Sequence, residues 1–314
     1  QYGMKIALVM SNVNNQETAV IVCTSEHEPI TGSAPSQSTR RWHGELRLDF
    51  QARRDAQNQL ERTVLHFEHK GPLRIQKALY PDSNQCCHAV IIHPPAGIAA
   101  GDFLAITIDV EESAQALITT PSATKWYGAH GGAAAAQHIE MNVKGHLQWL
   151  PAETIVYDHA FVHSVLTMDI APTGSVMGWD TLIFGRHGSG ERYSYGTFNQ
   201  TLRLSLAEDV VWIERLRLVG NDPLFNSPVG LQGHHALATC WVVVPADANL
   251  SDDCLSALRA HCPSVAFTRL HPRVLVGRLL GAPIALRIQL EATWQWLNTH
   301  LLHQSTGTPR LWAT

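Results

Sequence analysis

Charge is what this 314-residue chain has least of: Asp, Glu, Lys and Arg make up 16% of it, against roughly 25% in an ordinary soluble protein. A surface with so few charges must be built from Ser, Thr, Gln, His and apolar side chains, which suit burial against another protein as well as neutral strand faces. There is no positive excess either. Lys and Arg number 23 against 27 acids, a net charge of -4, so neither a nucleic acid backbone nor an anionic membrane meets a matching field. The six cysteines, Cys23, Cys86, Cys87, Cys240, Cys254 and Cys262, contain no Cys-x-x-Cys pair. That spacing excludes a zinc ribbon or thioredoxin-like site, and the number is too small for a disulfide scaffold, so reduced intracellular thiols are expected. No apolar run approaches the ~18 residues of a membrane span. Lys5 followed by Ile6–Met10 has the order of a signal peptide, yet falls short of its roughly 7–15 apolar residues. A cytoplasmic protein is expected.

What is present is alternation. Residues 24–41 are rich in Ser, Thr, Pro and Gly without an apolar period and read as a linker. Residues 1–41 are thus expected to form a flexible or atypical extension, and residues 42–314 the folded domain. From Trp42 to about residue 245 apolar side chains recur every second position, as in Leu104-Ile106-Ile108-Val110, Ile139-Met141-Val143, Leu202-Leu204-Leu206 and Val211-Ile213. Period two puts one set on the buried face of a strand, and turn residues separate the runs. No repeat of fixed period is visible. The expected class is mainly β: many short strands in a β-helix- or sandwich-like body, with a small helical portion toward the C-terminus. Ser251 can cap a helix over residues 250–262, and Leu286, Leu290, Trp294, Leu297 and Leu301 make one stripe of a second over 285–303.

Motifs for catalysis are weak. Ser122-Ala123-Thr124-Lys125 has Ser-x-x-Lys spacing, but follows a strand-like segment, where positions three apart face opposite ways. Gly185-Arg186-His187-Gly188-Ser189-Gly190-Glu191 fits neither a Walker loop nor a nucleophile elbow and reads as a tight glycine turn carrying an Arg and a Glu. Eighteen histidines are scattered, the densest group being Cys86-Cys87-His88 with His93 and Asp102. Successive residues on a strand diverge, which argues against a shared metal ion. An interaction protein outranks an enzyme. The alternative is a β-rich metal-dependent hydrolase using His93, Asp102 and the Cys87-His88 region.

Read in order, several segments resemble the urease accessory protein family UreD, also called UreH. They are Gly71-Pro72-Leu73-Arg74-Ile75-Gln76-Lys77, Tyr80-Pro81, Cys87-His88, and His93-Pro94-Pro95-Ala96-Gly97-Ile98-Ala99-Ala100-Gly101-Asp102. Then come Thr119-Thr120-Pro121-Ser122-Ala123-Thr124-Lys125-Trp126-Tyr127, Leu147-Gln148-Trp149-Leu150-Pro151-Ala152-Glu153-Thr154-Ile155, Gly185-Arg186 with Ser189-Gly190-Glu191, and Pro309-Arg310-Leu311-Trp312-Ala313-Thr314. The resemblance spans residues 42–314. It departs at Ala96 and Ala100, each standing for a family glycine; if either needs positive φ, the left-handed penalty is ~1–2 kcal/mol.

The resemblance implies a maturation factor of predominantly β fold rather than an enzyme. It further implies binding to the urease apoprotein and to UreF, with the GTPase UreG reached through UreF, and assistance in nickel insertion. It implies no fixed cofactor, only transient nickel. On the matching motifs the candidates for a nickel path are His93, Asp102 and Glu153. Gly101, Asp102, Lys125, Tyr127, Pro151, Arg186, Gly190 and Glu191 are expected to hold turns or interfaces.

Overall fold

The period-two runs fold into two facing sheets. A computed structural model describes residues 5–13, 16–24, 42–81, 85–129, 131–248, 250–302 and 308–313. In chain order the strands are β1 (Lys5–Val13), β2 (Gln16–Thr24), β3 (His43–Arg54), β4 (Leu60–Lys70), β5 (Arg74–Ile75), β6 (Cys87–Ile92) and β7 (Phe103–Val110). There follow β8 (Gln115–Thr119), β9 (Thr124–Trp126), β10 (Ala135–Val143), β11 (His146–Leu150), β12 (Thr154–Val156), β13 (Phe161–Ile170) and β14 (Ser175–Phe184). The last are β15 (Thr197–Leu206), β16 (Asp209–Val219), β17 (Ala236–Val243), β18 (Ala266–His271) and β19 (Val274–Leu280), with helices α1 (Asp252–His261) and α2 (Pro283–His300).

The first sheet runs β1-β2-β16-β15-β13-β10-β7-β3-β4 and the second β18-β19-β17-β14-β11-β8-β6-β5, with β9 and β12 attached beside β14. Between β7 and β15 the chain alternates sheets, and each strand lies parallel to its counterpart one coil earlier. The architecture is a short β-helix. Its ends are closed by antiparallel neighbours: β4 on β3, β16 on β15 and β17 on β14. Register stacks like on like. Leu48, Ile108, Met141, Met168 and Leu204 form one row across five strands, each fully buried. Each such side chain contributes about 1.5–3 kcal/mol by leaving water. The register offset from Phe103 to Ala136 differs from that of Ala135 to Val162 and of Phe161 to Thr197. Unequal coils explain why no fixed period shows in the sequence.

The helices cover the outer side of the second sheet. Ser251 Oγ accepts the Cys254 N–H at 3.1 Å and starts α1, two residues inside the expected start. On α2, Leu286, Leu290, Trp294 and Leu297 are buried in a second core with Leu117, Leu150, Trp179 and Leu258. One strand reads differently from expectation. Register shifts between Leu204 and Ser205, where β15 meets β16. As a result Trp212 and Glu214 are the buried pair, rather than Val211 and Ile213 together. A bulge adds one residue and moves the following side chains to the other face. The N-terminal segment contributes the hairpin β1–β2, β2 lying parallel to β16. Of the linker expected at 24–41, Thr24 is the last residue of β2 and 25–41 lie outside the described residues, as does Thr314.

Candidate functional site

Two motifs singled out from sequence interrupt the second sheet at the same level. Strand β8 ends at Thr119 and β9 begins at Thr124; in the next coil β11 ends at Leu150 and β12 begins at Thr154. Pro121 and Pro151 stand in these breaks and offer no N–H to a ladder. The neighbouring β14 pairs with β11 as far as Gly178 and with β12 from Leu182, so Trp179, Asp180 and Thr181 lack a partner strand on that side. The breaks form a window with a hydrogen-bonded frame. Thr119 Oγ1 donates to the Leu150 carbonyl (2.7 Å) and the Ala152 N–H to Thr120 Oγ1 (2.9 Å). Trp179 Nε1 donates to the Pro151 carbonyl (2.8 Å), and the Thr124 N–H to that of Glu153 (2.9 Å).

Cavities adjoin the window on both sides. The inner one, about 300 Å³, lies between the sheets, and His93, Gln137, Ser164, Asp180 and Gln200 are among its polar lining. The outer one, about 80 Å³ and beneath α2, is lined by Glu153, Trp179, Arg287, Glu291 and Trp312. Residues 120–123 and Pro151 belong to both walls. Beyond Asp180 and Gln200 a third space, about 10 Å³, reaches Glu214 and Trp241. Polar groups thus run through the middle of the apolar body.

Register creates that lining. Gln137, Ser164 and Gln200 sit side by side on β10, β13 and β15, in the inward phase shared by Ile139, Leu166 and Leu202. The Gln200 amide donates to the Asp180 carboxylate. Burial pushes the Asp180 carboxyl up to about 6, the Gln200 bond opposes the rise, and the nearby Glu214 carboxylate adds to it. Glu214 is held from across the interior by both arms of the Arg278 guanidinium, one at 2.9 Å. A bidentate pair of this kind is strong and directional.

The expected path residues do not share one cluster. His93 is on the inner cavity, and burial holds its imidazole below the usual histidine range against the opposing field of Asp102. Asp102 accepts the Trp42 N–H (3.1 Å) and the Ala99 N–H (2.9 Å), which ties the loop to the start of β3. Glu153 is on the outer cavity. Among the described residues no three His, Cys, Asp or Glu side chains gather as a metal would require. Cys86 and Cys87 point into different cores, and burial pushes the Cys87 thiol up to about 11.

The remaining motif residues frame turns and rings. Gly101 has φ +82 and donates to the Ala134 carbonyl at 3.1 Å. The Lys125 carbonyl accepts the Ile98 N–H at 2.7 Å. Tyr127 packs edge-on to Tyr157, and a Cβ at Gly97 would meet the Tyr127 ring at 2.4 Å, so only glycine fits there. Arg186 lies over the Tyr157 ring at 4.4 Å and pairs in bidentate fashion with Glu191. That pairing holds the Glu191 carboxyl below the usual range. Gly190 closes the short turn of His187–Ser189 at φ +77, as the expected glycine turn requires. Ala96 does have positive φ, +63, whereas Ala100 is not among the positive-φ residues.

Asp180, Gln200, Glu214 and Arg278 were not singled out from sequence. A signal existed: each interrupts the otherwise apolar inward face of its strand.

The fold is a short β-helix with polar-lined cavities between its sheets and beneath its C-terminal helix. The chain belongs to the UreD urease accessory protein family, whose profile matches residues 43–313. It is 37% identical over 297 residues to the urease accessory protein UreD of Cupriavidus metallidurans, covering 89% of this chain and 98% of that one. The UreD of Dechloromonas aromatica is 38% identical over 280 residues, covering 87% and 95%. That of Pseudomonas fluorescens is 38% identical over 277 residues, covering 88% and 96%. These relatives are named as accessory proteins rather than enzymes, and membership supports a role in urease maturation. No described helix is long and apolar enough to cross a membrane.

Proposed function

We propose that this chain is a cytoplasmic urease-maturation scaffold. It binds the urease apoprotein and UreF, through which the UreG GTPase joins, and assists nickel insertion into the urease active site. The run of cavities through the window carries this reading. A cation in transit needs carboxylate, imidazole and amide groups spaced so that it exchanges ligands without being trapped. Glu153 on the outer cavity and His93 and Asp180 on the inner one supply such groups. Asp102 keeps the His93 loop in place through its two backbone bonds.

The test is nickel-dependent urease activity in cells carrying the urease genes, read beside co-purification. His93→Ala combined with Ser164→Leu, which narrows the inner cavity, is expected to lower urease activity by about tenfold or more while urease and UreF still co-purify. Full urease activity in cells lacking this chain, or failure of either partner to co-purify with it, would sink the scaffold reading. Full activity of the double variant would remove the passage alone.

A further inference from the structure

Outside the cavities, the outward face of the first sheet carries a row of rings that neither the family motifs nor the passage uses. His43 on β3 lies 5.1 Å from Phe103 on β7, Phe103 lies 5.0 Å from His138 on β10, and His138 lies 5.8 Å from His163 on β13. Both His138 and His163 are exposed. We propose that His138 and His163 together form a surface site for one divalent transition-metal ion of the nickel, copper or zinc class.

The geometry is the reason. Two imidazoles bound at a metal–nitrogen distance of about 2.1 Å place their ring centroids roughly 4.5–6.5 Å apart, from a right-angled to a linear arrangement. The His138–His163 separation falls inside that interval, with the ring planes 64° apart. The contrasting pair, His187 and His235, is stacked at 3.6 Å and 16°, too close and too parallel to share an ion. Register keeps the space between the rings open: Ala136, with a single methyl group, is the residue beside His163 on β10. Phe103 meets His138 edge-on at 77° and braces it. His43 is separated from the pair by Phe103 and is engaged with Glu45 at 2.7 Å. Two protein ligands with water in the other positions make a site that holds a soft or borderline cation weakly and exchanges it readily.

The choice of nickel as probe rests on the maturation reading; the site itself does not. The untagged full chain, alone or in the complex with which it purifies, is dialysed against graded Ni²⁺. His138→Ala and His163→Ala are each expected to remove one bound ion or weaken its binding about tenfold or more, whereas His43→Ala leaves the curve unchanged. Both histidines are exposed, so thermal unfolding should confirm intact variants. In parallel, Ni²⁺ should protect His138 and His163, and not His43, from carbethoxylation measured by mass spectrometry. Superimposable curves for the wild type and the double variant, or protection that spares both histidines, would overturn the site. Co-purification with urease is read separately, so loss of this site and loss of the maturation role give different results.

Discussion

The two cores of this molecule are built differently. The core beneath the helices is closely packed around paired groups: Trp294 is fully buried and its Nε1 donates to Gln148 Oε1 at 2.6 Å, while Gln148 donates in turn to Asn298. Its few polar atoms satisfy one another. The core between the sheets begins in the same way, with the Leu48–Leu204 row, but two registers away it changes to Gln137, Ser164 and Gln200 around a cavity of about 300 Å³. Polar groups that line a cavity forgo stability that apolar residues packed against one another would have supplied. The comparison separates the region that holds the protein together from the region that is kept open.

The strongest way to break the comparison is at its helix side. Trp294→Ala is expected to lower unfolding free energy by about 3–5 kcal/mol, read from denaturant midpoints. A loss under 1 kcal/mol would mean that the helix layer is not a core of its own.

On the open side, pH is the lever. Folded Asp180 keeps its proton up to about pH 6, against 3.8 for the free carboxyl. Its burial therefore adds a stability that is full below about pH 3.8 and is lost as pH rises through about 6. Asp180→Asn removes this dependence. Relative to wild type, the variant should gain on the order of 2–3 kcal/mol between those limits; parallel pH profiles would show that Asp180 is already solvated.

The smallest effect sharpens the rim of the inner cavity. Ala96→Gly relieves positive φ and should raise stability by about 1 kcal/mol. Ala100→Gly, where no such φ occurs, should lower it slightly. Equal melting shifts for the two would remove the strain argument.

The core beneath the helices was legible in the sequence because a helix advertises its buried side by spacing. Leu286, Leu290, Trp294 and Leu297 are all buried, and Ser251 caps the helix it was expected to cap. Between Trp42 and about residue 245 the strands were legible for the same reason, apart from β16, whereas β1 and β2 fall in the stretch expected to be an extension. There the bulge opposite Leu204 and Ser205 depends on a partner strand that local alternation cannot foresee. The window was half legible. Its prolines and threonines stood out as motif residues, yet only register shows that residues 120–123 and Pro151 interrupt successive coils at one level. Asp180 and Glu214 were hidden because single acids in apolar strands become neighbours only when two sheets face each other.

The unequal coils carry a consequence for how this chain can change over time. Each coil is held by the register of its strands rather than by the length of the turn between them. Lengthening an exposed turn such as 131–133, which leads into β10, shifts no row of the interior. Doubling a flexible loop costs only about 0.6 kcal/mol in closure entropy. Insertions can therefore accumulate at the coil corners, and surfaces facing other proteins can diverge between lineages, while the rows that shape the interior stay in step.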